Sequence, residues 1–175
     1  VEAVMTDRDG ADVHTTSAKA TSGASAGDIG VAGSLAINVA SVRTDARIVS
    51  GAQVTLDDGN DALDEAGKLD VKAVSSTKAD TQALPKEDGA SGESVGVGAS
   101  VALNISNNDT RAAIDSMAVV SGAHDIELSA SGNHVVTTKA KQGATSSGGV
   151  AVTPVVAISV ALNDTIAEIQ DGPTL

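Results

Sequence analysis

The sequence predicts an all-β fold, a parallel β-helix built from degenerate repeats, on three observations. The first is an internal echo. "GVAGSLAINVASVRTDARI" (Gly30 to Ile48) returns as "GVGASVALNISNNDTRAAI" (Gly96 to Ile114), 66 residues on as 96 less 30, matching Ser34 with Ser100, Ala36 with Ala102, Asn38 with Asn104, Thr44 with Thr110 and Ile48 with Ile114. The second is period two: in "SVALN" and "TRAAI" apolar and small polar residues alternate, and 18 glycines punctuate the segments, which suits short strands better than helices. The third is that Phe, Tyr and Trp are absent. A folded interior must then be filled with Val, Ile, Leu and Ala, which favours thin, regularly layered cores. A β-sandwich is the rival architecture.

Taken in order, the elements recur. "VEAV" (Val1 to Val4) opens a first unit and continues into a Thr/Ser-rich stretch holding Lys19-Ala20. The Gly30 to Ile48 block follows, then "SGA" at Ser50 and the acidic insertion "LDDGNDALDEAG" (Leu56 to Gly67). A second unit starts at "LDVKA" (Leu69 to Ala73), passes Lys78-Ala79 and the insertion "LPKEDGASGES" (Leu84 to Ser94), and reaches the Gly96 to Ile114 block and a second "SGA" at Ser121. The third begins at "IELSA" (Ile126 to Ala130), with Lys139-Ala140, and ends in "SVALN" (Ser159 to Asn163) and "DTIAEI" (Asp164 to Ile169). Aligned on "SVALN", this copy lacks the equivalents of Ile105 to Asn108. The whole reads as one repeat-built domain over 1–175, in units of about 1–68, 69–125 and 126–175, and as a piece of a longer chain.

Within the repeat, strand phase is assigned by size. Leu35, Ile37, Val101, Leu103, Val160 and Leu162 are expected to face a shared aliphatic core, with Ala36, Ala102 and Ala161 outward or packed beneath a loop, so that Leu103→Ala should cost roughly 2–5 kcal/mol and Ala102→Ser little. Asn38, Asn104 and Asn163 fit either a turn that accepts left-handed backbone or a side-chain ladder between coils. Pro154, which replaces the Gly-Val-Gly lead, places the third copy's first strand at an edge or a bend.

Charge excludes some partners. With 23 acidic and 11 basic residues the net charge is −12, which repels nucleic acid and anionic lipid. Without aromatics there are no platforms on which bases stack. The absence of cysteine excludes disulfides and thiolate metal sites. The longest apolar run, "VAVTPVVAISVAL" (Val150 to Leu162), is short of the roughly 18 residues of a spanning helix and contains a proline, so no membrane insertion is expected.

Candidate chemistry is sparse. Asp57, Asp58 and Asp61, with Asp64 and Glu65 behind them, gather hard oxygen ligands in one loop, the chemistry calcium wants, but without EF-hand or β-roll spacing; a solvated acidic loop is the stronger reading and no other cofactor is implied. His14, His124 and His134 have no metal-ligand spacing. "GVGAS" at Gly96 lacks the third glycine of a dinucleotide fingerprint, and Ser100 lies between Gly98 and Ala102 rather than in a nucleophile elbow. Asn104, Asn108 and Asn163 satisfy the N-x-S/T pattern, although the repeat itself accounts for Asn104 and Asn163.

The repeated "SVALN" and "TRAAI" blocks resemble those of large secreted bacterial surface proteins of the leukotoxin and filamentous-haemagglutinin type. The resemblance implies a β-helical, extracellular or cell-surface segment of an adhesin-like exoprotein from a diderm bacterium. The resemblance does not separate stalk from binding segment; the leading expectation is a non-enzymatic structural or adhesive segment, a stiff stalk with variable loops, whose partners are neighbouring repeats of the same chain and a host or cell-surface receptor. A polysaccharide-acting β-helix enzyme and a processing or folding segment of a secreted toxin are the alternatives.

Overall fold

A computed structural model describes residues 1–5, 12–56 and 67–175. Among the described residues there are eleven strands: β1 (Glu2–Val4), β2 (His14–Ser25), β3 (Ile29–Ile48), β4 (Gln53–Thr55), β5 (Lys68–Gly92), β6 (Val95–Ile114), β7 (Val119–Ser121), β8 (Asp125–Ala140), β9 (Ala144–Ser146), β10 (Val150–Val152) and β11 (Val155–Ile169). Among the described residues there is no helix. The expected all-β class holds, and every strand pairing is parallel.

The parallel pairing follows from the repeat. Strand β6 pairs with β3 in unbroken register from Ile29↔Val95 to Ile48↔Ile114, so the two copies of the echo lie side by side, residue on residue. On its other edge β6 pairs with β10 and β11. A second sheet places β5 between β1 and β2 on one side and β8 and β9 on the other. A short third sheet joins β4 to β7. The first two units thus each give strands to the two long sheets and a short strand to the third, while the third unit, with β8 to β11 in the long sheets, meets the third only through an isolated bridge from Thr174 to Val119.

The two long sheets lie face to face, and the identity of their inner residues reverses the strand phase read from sequence. Ala36 is 3% exposed and Ala102 fully buried, whereas Leu35 and Ile37 are 61% and 51% exposed. Val160 and Leu162 are also exposed, and Val101 and Leu103 are only half-buried. Ala161 shares the inward row of Ser106 but is uncovered, because β11 pairs only with β6. The physical reason is the width of the gap. Ser34, Asn38, Ala40 and Thr44 of β3 and Ser100, Asn104, Ser106, Asn108 and Thr110 of β6 face Ser75, Thr77, Ala79, Thr81 and Ala83 of β5, all buried. Two sheets that meet on such short side chains have no room for leucine.

Elsewhere the inward rows hold single larger side chains such as Val42, His134 and Val136, each half-buried, but the largest buried aliphatic residues gather beside the third sheet. There Ala46, Ile48, Ala112 and Ile114 meet Leu69, Val71 and Ala73, closed by Ala118 and Val120, with Val54 and Leu56 packed against them. Among the described residues this is the larger of two buried apolar clusters.

Two features of the third unit also differ from expectation. Alignment on "SVALN" requires a gap opposite Ile105 to Asn108, but β11 runs without a break from Val155↔Ser100 to Ile169↔Ile114. Ser159 therefore lies beside Asn104, and Asn163 beside Asn108. The length difference sits elsewhere. The chain takes four steps from Ala20 to Ala24 and four from Ala140 to Ala144, but seven between their partners Ala83 and Ala90. The insertion expected over Leu84 to Ser94 thus narrows to three residues, turned out at Glu87 (φ 51°) and Gly89 (φ 83°). Pro154 falls in the break between β10 and β11, on the edge of its sheet as its missing donor requires.

Candidate functional site

Of the residues singled out in the sequence, Asp57, Asp58 and Asp61, with Asp64 and Glu65, lie outside the described residues. Among the described residues no three of His, Asp and Glu group as a metal site would require. His124 sits before β8, where its backbone N–H donates to the Gly67 carbonyl at 2.8 Å. Ser100 is a buried strand serine 2.9 Å from the hydroxyl of Ser34. A β-carbon on Gly96 would overlap the carbonyl of Thr145, so that glycine permits close packing between strands.

On the inward rows Asn38, Asn104 and Asn108 are buried, His14 and His134 half-buried, and Asn163 exposed at the uncovered edge. Asn38 donates from Nδ2 to Thr16 Oγ1 (3.1 Å) and to Asn104 Oδ1 (3.2 Å). Asn104 in turn donates to the backbone carbonyls of Ala79 and Thr137, both at 3.1 Å, so a side chain of one long sheet is bonded to two strands of the other. These residues stand in strands, not turns, which decides for the ladder. Asn163 joins a different rung: Asn108 donates to its Oδ1 at 2.7 Å and to Ser106 Oγ at 3.0 Å. Asn104 and Asn108 are buried, which leaves no space for a glycan on either.

A third rung holds histidine. His14, Thr77 and His134 share one row across β2, β5 and β8. Thr77 donates its one hydroxyl proton to Asn108 Oδ1 (3.2 Å), so its oxygen accepts from Nδ1 of His134 at 2.9 Å. Burial holds the His134 pKa below the ordinary imidazole value. The neutral ring, hydrogen on Nδ1, is the form this rung fits.

A surface pocket of about 310 Å³ opens beside the three-residue insertion, lined by Gly23, Ala24, Ser25, Lys86, Glu87 and Ser91 among others. Among the described residues its lining offers one ammonium and one carboxylate and no nucleophile activated by a neighbouring base.

The outer faces of the two long sheets differ in kind. Outward on β5 and β8 stand Lys68, Asp70, Lys72, Lys78, Asp125, Glu127, Asn133, Thr137 and Lys139, a polar surface with the ion pairs Lys68–Glu127 (3.2 Å) and Lys72–Glu2 (3.5 Å). Outward on β3, β6 and β11 stand rows of aliphatic residues in register: Leu35, Val101 and Val156; Ile37, Leu103 and Ile158; Val39, Ile105 and Val160. Val31, Val97 and Val152 extend them one way and Leu162 the other. Beyond Leu162 the same face turns charged. Arg43 lies 3.6 Å from Asp109, and Arg111 lies 2.6 Å from Glu168 and 3.4 Å from Asp115. The hydrogen bond to Glu168 raises the Arg111 pKa above its ordinary value. Phase error hid this face from sequence reasoning. The signal that could have exposed it is the spacing of the buried-type polar residues, since Ser34, Asn38 and Thr44 share parity with Ala36 and not with Leu35.

No family model matches the chain, and no curated protein and no solved structure matches it.

Proposed function

We propose that the chain is a structural, non-catalytic segment of a large bacterial surface or secreted exoprotein, in which successive units wind as a parallel β-solenoid and lend stiffness to a stalk. The observation that carries the reading is the matched register of successive units: β3 on β6 and β2 on β5, then β11 on β6 and β8 on β5, each strand beside its own counterpart. In such an array stability is shared between neighbours. The outer strands support the same reading, since β2, β3, β8 and β11 each pair on one edge only among the described residues. Open parallel edges of this length invite further strands, and neighbouring units of the same chain are the partners that fit. Extracellular display on a diderm bacterium, and contact with a host or cell-surface receptor through the variable loops, belong to this reading through the sequence resemblance.

Two copies of the chain joined in tandem test it. Stacked units would melt in one transition at a higher temperature than the single chain. Two independent transitions, or one unchanged from the single chain, would remove the solenoid reading. Release of unsaturated ends from acidic polysaccharides would favour the enzymatic alternative instead.

A further inference from the structure

We infer that the outer face of β3, β6 and β11 is a self-association surface, and that its occupant is a second copy of this chain seated face to face about a two-fold axis running along β6. The inference is independent of how units continue along the stack, because it uses the face of the sheet rather than its edges.

The apolar surface is contiguous and flat. Over the eleven residues from Val31 to Ser41 every outward position of β3 except Gly33 and Ser41 is a large aliphatic residue, and β6 and β11 repeat the pattern in register. The most exposed of these are Val31 at 63%, Leu35 at 61% and Val39 at 68%. Scattered single hydrophobics are ordinary on a surface, but an ordered block of a dozen is not. At about 3.3 Å rise per residue and about 4.8 Å between strands, the block covers roughly 35 by 15 Å. Two such faces together bury on the order of 1,000 Å², at the floor for a specific interface before relief and the charged rows are added.

Charge decides the occupant and its orientation. At the end of the block β3 presents Arg43, Asp45 and Arg47 outward, two cations and one anion, while β11 presents Asp164 and Glu168, two anions. Asp164 makes no ion pair among the described residues, whereas Arg43, its side chain 59% exposed, and Arg47 already pair with Asp45, and Glu168 with Arg111, so Asp164 is the charge that gains its first partner across the interface. A two-fold axis along β6 keeps each row at its own level and exchanges β3 with β11. Arg43 then faces Asp164 of the other copy and Arg47 faces Glu168, twice over by symmetry. At the axis Asp109 meets its own counterpart, neutralised by Arg43, and Arg111 meets its own, neutralised by Glu168, while Asp45, held by Arg43 and Arg47, faces Ile166 of the other copy. The aliphatic rows meet themselves, Ile37–Leu103–Ile158 against the reversed set, in the aligned packing usual for stacked sheets. The opposite faces, rich in Lys, Asp, Glu and Thr, stay in water.

The test is sedimentation of the whole chain over a range of concentrations, joined to thiol cross-linking. The chain has no cysteine, so a single introduced thiol reports alone. A dimer is expected, and Leu103→Cys, at the axis, should be joined to its counterpart by a bis-maleimide whose reach matches the roughly 10 Å between stacked sheets, while Lys78→Cys on the polar face should not. Ile37→Lys should weaken association at least tenfold with an unchanged β-sheet circular dichroism spectrum; Val39→Lys serves if that variant does not fold. Arg43→Glu should weaken it as well, and adding Asp164→Arg should restore it. A chain monomeric throughout, a dimer indifferent to both lysine variants, or cross-linking at Lys78→Cys rather than Leu103→Cys would overturn the inference. Association that persists in Ile37→Lys would assign it to the strand edges instead.

Discussion

Asn104 bears more of the fold than any aliphatic residue beside it. Fully buried, it accepts from Asn38 and donates to two carbonyls of the facing sheet, so its loss strands several buried polar groups at once. Asn104→Ala is expected to cost about 2–4 kcal/mol in urea unfolding, against about 1 kcal/mol for Leu103→Ala measured at concentrations where the chain is monomeric. That ranking opposes the one assigned from residue size. His134 adds a pH dependence. Because burial lowers its pKa in the folded state, the unfolded chain takes up the proton first, so stability is complete above the ordinary imidazole pKa of about 6.5 and declines as pH falls through it. Between about pH 7.5 and about pH 5.5 the parent chain should lose more stability than His134→Gln, read as the shift in urea midpoint. Equal losses in the two would show that the ring titrates as freely in the fold as outside it.

Among the elements, β5 shows best how much the sequence discloses. Its pairing with β8 from Lys68↔Asp125 to Ala83↔Ala140 follows the recurrence of "LDVKA" and "IELSA", where an aliphatic and an acid repeat at matching positions. The turn residues Glu87 to Gly89 were legible as an insertion, though not its size, because Gly, Ala and Ser fill both the turn and the strand after it. Gly89 has φ 83°, and a β-carbon there would collide with the backbone of Gly143. Gly89→Ala should therefore destabilise by roughly 1–3 kcal/mol, while Glu87→Gly, which relieves a left-handed non-glycine residue, should be neutral or stabilise by up to about 1 kcal/mol. Thermal melting of the two variants checks both. The third unit's register was misread for a related reason. "SVALN" occurs twice, but interior asparagines stand at both Asn104 and Asn108, and the "DTxAxI" end sets which of them Asn163 meets.

Across the whole molecule, the repeat made the all-β class and the parallel neighbours visible, and the alternation made the strands visible. Alternation alone is symmetric between two faces, however, and a one-residue slip exchanges them. Size suggested that Leu35 and Ile37 go inside, whereas the gap between two sheets joined through Asn38 and Asn104 is filled mainly by Ala, Ser, Thr and Asn. That choice also sets what the molecule shows to its surroundings, a polar face on one side and an aliphatic one on the other. Thiol labelling measures it most directly, in the Ile37→Lys background that keeps the outer face open. Leu35→Cys should react with a thiol reagent about as fast as an unfolded chain, and Ala36→Cys and Ala102→Cys only at the rate of unfolding. Rapid labelling at Ala36→Cys and Ala102→Cys with protection at Leu35→Cys would contradict the account.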